Sequence, residues 1–107
     1  MKIYQNKNLV DCCFECTTLS LQILIDNFGP DIKLAPSPIK HSDQELDYNG
    51  KPQTFLAATI KDIQYDNALR FCIEQSQYLT LLKPENLVAD VKDTLHQIVN
   101  RYESVTS

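Results

Sequence analysis

Glycine is nearly missing from this chain, with two residues in 107. A phosphate-cradling loop and a nucleophile elbow both need glycine-rich turns, so neither is expected. No apolar run approaches the ~18 residues of a membrane-spanning helix, and none of signal-peptide length follows Lys2, so neither spanning nor secretion is indicated. Basic clusters are absent as well: 10 Lys and Arg stand against 14 Asp and Glu, for a net charge of -4. Phosphate neutralisation needs clustered cations, so direct DNA binding by this chain is not expected. The two histidines, His41 and His96, are too few for a three- or four-ligand metal site without converging carboxylates. They read as solvated residues, with Asp93 placed to pair with His96 on a helix surface.

What is present is an ordinary apolar inventory, 43% of the chain, with five tyrosines and four cysteines. A domain of this length buries roughly two-thirds of its unfolded surface without metal or disulfide staples. The chain therefore reads as one domain, 1–107, with a reducing cytoplasm as the default compartment for its free thiols.

Three cysteines crowd into "VDCCFEC". Val10, Cys12, Phe14 and Cys16 alternate with Asp11, Cys13, Glu15 and Thr17, the period of a half-buried strand over about 9–16. Cys13 and Cys16 have C-x-x-C spacing, yet on a strand they point to opposite faces about 10 Å apart, while two sulfurs on one zinc lie within about 4.6 Å. Cys12 and Cys16 share a face but sit about 13 Å apart, too far for shared ligation or a disulfide. The thiols are therefore expected to act as small apolar filler, with no metal and no cofactor. A small enzyme with a cysteine nucleophile would need a thiol of depressed pKa near a cation or helix N-terminus.

Thr17 or Thr18 caps a helix over about 18–28, stopped by Gly29-Pro30, and Ile32 to Ala35 reads as an edge strand cut off by two prolines. Asn49-Gly50 favours a tight hairpin turn, and a strand follows over about 53–61. The acidic stretch before that turn lacks the glycine and closing glutamate of a calcium loop and reads as a solvated hairpin. Asp62 then caps a helix with Tyr65, Leu69, Cys72 and Ile73 on one face. Tyr78 to Leu82 is a strand, and Pro84 at the first helical position opens a long helix striped by Leu87, Val91, Leu95, Ile98 and Tyr102.

The expected fold is α+β: a ferredoxin-like βαββαβ antiparallel sheet with two helices on one face, plus an additional C-terminal helix. That stripe must cover its own sheet or meet a partner. RNA-binding domains share the element order, but they stack bases on exposed aromatics in a basic setting, which the acidic charge here opposes.

The closing run "YLTLLKPENLVADVKDTLHQIVNRY" resembles the end of bacterial transcription regulators of the WYL family. Their C-terminal extension, WCX, closes on a strand, a Pro-Glu pair and a Leu-rich helix ending in Tyr, here Leu79–Leu82, Pro84-Glu85 and the stripe from Leu87 to Tyr102. "NLVDCCFECTTLSLQILIDNFG" is similar to the extension's first strand and its helix ending in Phe-Gly, here Phe28-Gly29. "FLAATIKDIQYDNALRFCIEQ" is similar to its middle strand and helix. The resemblance covers roughly residues 9–103, departing from the family in the long loop between Pro36 and Pro52 and in the cysteine-rich first strand.

The resemblance implies a non-catalytic regulatory or interaction module, with effector sensing, and DNA binding in the full-length protein only. Its partners would be the WYL and helix-turn-helix domains of that protein, a second copy, or a small-molecule or nucleic-acid effector acting through it. Residues 1–8 would then be the junction with the WYL domain, and the chain an excised C-terminal piece. The interface candidates are Tyr78, Thr80, Leu87, Val91, Leu95, Ile98 and Tyr102. The alternative is a free-standing ferredoxin-like small-molecule sensor.

Overall fold

The computed structural model describes residues 9–41, 50–51 and 53–105. The expected junction over 1–8 and the Asn49 half of the expected turn lie outside them. The elements run β1 (Leu9–Thr17), α1 (Leu21–Phe28), β2 (Lys33–Pro36), β3 (Phe55–Gln64), α2 (Tyr65–Glu74), β4 (Thr80–Lys83) and α3 (Glu85–Val105). The protein is α+β; the described residues form one four-stranded antiparallel sheet in the order β2-β3-β1-β4 and three helices.

β1 and β3 are the central strands, and the alternation read in the sequence sets which side chains of β1 face the helices, although Glu15 on the opposite face is buried too. Cys12, Phe14 and Cys16 are buried with their cross-strand partners Ile60 and Ala58 on the side that carries the helices, and Leu56, opposite Cys16, is partly buried against them. Both α1 and α2 lie on that side. The ring of Phe71 in α2 meets Phe14 edge-on at 5.7 Å and Phe28 of α1 edge-on at 4.9 Å, the geometry that the aromatic quadrupole favours. Leu24, Ala68, Leu79, Leu81 and Leu87 complete the core.

The helix boundaries differ locally from expectation. Neither Thr17 nor Thr18 caps α1. Ser20 holds the N-cap position without a side-chain bond into the helix, and it exchanges bonds with Thr17: the Thr17 N–H donates to Ser20 Oγ at 2.8 Å and the Ser20 N–H to Thr17 Oγ1 at 3.1 Å. Gly29 ends the helix as expected, at φ +87, with its N–H on the Ile25 carbonyl at 2.8 Å. Pro84 precedes α3 across a cis peptide bond, and its carbonyl accepts the Val88 N–H at 3.0 Å.

Asp62 is not a helix cap. β3 runs on to Gln64, and Asp62 sits inside it at φ +60. The register explains this: Val10 pairs with Ile63 and Cys12 with Ile60, so Lys61 and Asp62 together oppose Asp11. This is a β-bulge, which bends the strand into α2. The Asp11 carboxylate closes it by accepting the Asp62 N–H at 3.0 Å. At the next turn, the Tyr65 hydroxyl at the head of α2 donates to the Asp90 carboxylate and so ties α2 to α3.

Left-handed backbone at position 62 favours Asp, Asn or Gly over branched side chains. Asp62→Val is expected to lower unfolding free energy by about 1–2 kcal/mol, and Asp62→Gly to change it by less than about 1 kcal/mol. Urea denaturation of the three proteins side by side checks this order.

Candidate functional site

The helical side of the sheet leaves a cleft of about 270 Å³ between α2, β4 and α3, walled by Cys72, Leu79, Leu81, Val88, Val91 and Leu95. Of the interface candidates, Thr80, Val91 and Leu95 meet here, with Lys92 at the same wall. Leu87 is fully buried and forms part of the core. Tyr78 opens on a different cleft, beside Thr17, Leu19 and Ile23 at the end of the sheet. Ile98 and Tyr102 lie further along α3, and Tyr102 is 67% exposed.

The thiols divide by face. Cys12, Cys16 and Cys72 are buried, while Cys13, on the opposite side of β1, is half-buried. Burial disfavours the thiolate, with nearby acidic groups adding to it. It pushes Cys12 from 9.0 to about 11 and Cys72 from 9.0 to about 12, and it raises Cys16 as well. These are the inert thiols of a core, in keeping with the filler role read from β1. The phenol of Tyr65 is also raised, to about 12, chiefly because it donates to Asp90.

The sheet's second face holds the cluster that sequence reading missed. Glu15 projects from the middle of β1, yet is only 6% exposed. Ser37 Oγ donates to Glu15 Oε2 at 2.5 Å, and His41 Nε2 meets the same oxygen at 2.7 Å. The His41 ring lies flat on Phe55, at 3.7 Å between centroids and 16° between planes. His41 is thus not the solvated loop residue expected, whereas His96 is exposed on α3. Residues 37–41 leave the end of β2 and cross back over the sheet as a strap.

Small neighbours make the burial of Glu15 feasible. Its register partners are the small residues Ala57 on β3 and Thr80 on β4. A desolvated carboxylate is costly unless it is paired and hydrogen-bonded, and the strap supplies both donors. In a catalytic triad histidine stands between the nucleophile and the acid. Here the carboxylate stands between serine and histidine, both ending on one oxygen, so the arrangement holds the strap rather than activating Ser37. Nothing in the order of residues marks the pair, because 22 positions separate Glu15 from Ser37 and 26 separate it from His41.

Among the described residues no three or more His, Cys, Asp or Glu side chains gather as a metal site, and no helix is long and apolar enough to cross a membrane. No protein-family model, curated protein or solved structure matches this chain.

Three outcomes follow from this chemistry. In native protein, iodoacetamide is expected to modify Cys13 first, with Cys12, Cys16 and Cys72 protected until unfolding; mass spectrometry of the labelled peptides reads the order. The buried thiols stay neutral in the fold but ionise near 9.0 when unfolded, so their contribution is intact below pH 9 and is lost as pH rises towards 11–12. Cys12→Ala should therefore flatten the fall of stability above pH 9. Glu15→Gln, which turns a charged acceptor into a neutral one under two donors, is expected to cost about 1–2 kcal/mol in urea denaturation.

Proposed function

We propose that this domain is a non-catalytic interaction module, the C-terminal extension of a WYL-type transcription regulator, and that α3 carries its contact surface. The observation that carries the reading is the spacing along α3. Val88, Val91, Leu95, Ile98, Tyr102 and Val105 recur alternately three and four residues apart, the seam of a coiled-coil helix. The fold uses the near end of that seam: Val88 and Val91 pack on the core of their own domain. The far end is uncovered, with Tyr102 and Val105 exposed.

The chemistry of the rest of the chain favours the same reading. Three thiols are buried and protonated, and the one polar cluster described on the sheet is a clasp. The strand order, read from the other edge as β4-β1-β3-β2 with α1 and α2 on one face, supports the ferredoxin-like description. The order of strands and helices and the Pro-Glu start of α3 agree with the WCX resemblance. DNA binding and effector sensing would then belong to a full-length protein with helix-turn-helix and WYL domains.

Light scattering of this chain is expected to show a dimer, and Ile98→Asp with Tyr102→Asp to give a monomer of unchanged melting temperature. A wild-type chain that stays monomeric at high concentration would remove dimerisation from the reading. An upstream reading frame without a helix-turn-helix would remove the regulator itself.

A further inference from the structure

Two of the groups that His41 meets, Glu15 and Phe55, belong to the sheet. Glu15 stands on β1 and Phe55 on β3, neighbouring strands held by ladder hydrogen bonds, and both side chains face the same way: Glu15 pairs with Ala57, and Phe55 lies two positions along from Ala57. Ser37 Oγ occupies one approach to Glu15 Oε2 and fixes the carboxylate's orientation. The His41 ring lays one flat face on Phe55 at 3.7 Å and sets one nitrogen on Glu15 at 2.7 Å. Both contacts are ones that a free ring of the same shape would make. The His41 side chain is 23% exposed, so the place it occupies opens to solvent.

We propose that Glu15 and Phe55 form a binding socket for a planar nitrogen cation, an imidazolium or guanidinium group, which His41 fills from within the chain. The two walls select by chemistry. The phenyl face attracts a cation and accommodates a flat one best. The carboxylate is acceptor-only when ionised and takes an in-plane N–H. A tetrahedral ammonium can donate but cannot stack, and a neutral hydrocarbon ring can stack but cannot donate. The tether keeps His41 at high effective concentration, so an incoming cation must displace it. On displacement Glu15 is handed to the new donor rather than left buried and unpaired, which keeps the exchange low in cost. The same flat cation can arrive as a free metabolite or as an arginine side chain on another polypeptide. The inference rests on the sheet face alone and is independent of the proposed regulator role.

The test is a titration of the full 107-residue chain carrying His41→Gly, followed by NMR shifts of the Phe55 ring and of β1 amides near pH 6. Imidazole and guanidinium are expected to bind saturably, at least about tenfold tighter than to wild type, where the strap occupies the socket. Adding Glu15→Gln should weaken binding by about tenfold or more, the size of a lost charge-assisted bond. Ammonium should bind no better than to wild type. N-acetyl-arginine amide separates the sources: binding as tight as guanidinium assigns the socket to a protein side chain, and binding only of the free ions assigns it to a small metabolite. Should His41→Gly be unfolded, imidazole is expected to restore its circular dichroism. No saturable binding by the folded variant, no rescue of an unfolded one, equal binding of ammonium, or indifference to Glu15→Gln would each overturn the proposal.

Discussion

The structure depends on the seating of one ring. Phe14, on the central strand β1, is almost fully buried, and Phe71 stands edge-on above it, with Phe28 edge-on against Phe71 in turn. This chain of contacts locks β1, α2 and α1 into one unit: moving either helix would turn positive ring edges away from negative ring faces and open a gap in a close-packed interior. The neighbours of Phe14 on that face are small. Cys12 and Cys16 flank it along the strand, and Ala58 lies opposite on β3. Small side chains around one large ring let the helices approach the sheet closely. That is why a run of cysteines can serve a purely packing purpose.

Because successive residues on a strand face opposite ways, seating Phe14 also seats Glu15. The same register that buries Cys12, Phe14 and Cys16 under the helices points Glu15 at the other face, between Ala57 and Thr80. There Glu15 is only 6% exposed, so its carboxylate is largely removed from water. The strap's hydroxyl and imidazole meet that cost, and Phe55 receives the imidazole face. The core thus determines where the polar cluster lies, although the two share no side chain. The socket reading and the clasp reading describe the same geometry, seen from its walls and from its occupant.

α3 is divided along its length. Leu87 completes the core, Val88 and Val91 rest on it, and the Tyr65–Asp90 bond holds the first turns against α2. Beyond Leu95 the apolar spacing continues through Ile98, which is half-buried, to Tyr102 and Val105, which face water. Helical periodicity is a property of the sequence, whereas the length that finds cover depends on where the sheet ends.

Local chemistry carried much of the fold into the sequence. The alternation of β1, the Gly29 stop of α1, the proline-limited edge of β2 and the α3 stripe are each readable, because a period or a single residue's backbone preference decides them. Where several residues compete for a local role, reading from sequence misplaced them: Asp62 resembles a helix cap but sits in a bulge, and Ser20 rather than Thr17 or Thr18 holds the N-cap position of α1. Phe71 fell outside the face assigned to α2, yet its ring joins both other aromatic members of the core. What tertiary structure alone decided is the meeting of Glu15 with Ser37, His41 and Phe55. Those contacts exist because strand register and loop path bring residues distant in the chain onto one face, and neither is encoded by any short stretch of sequence.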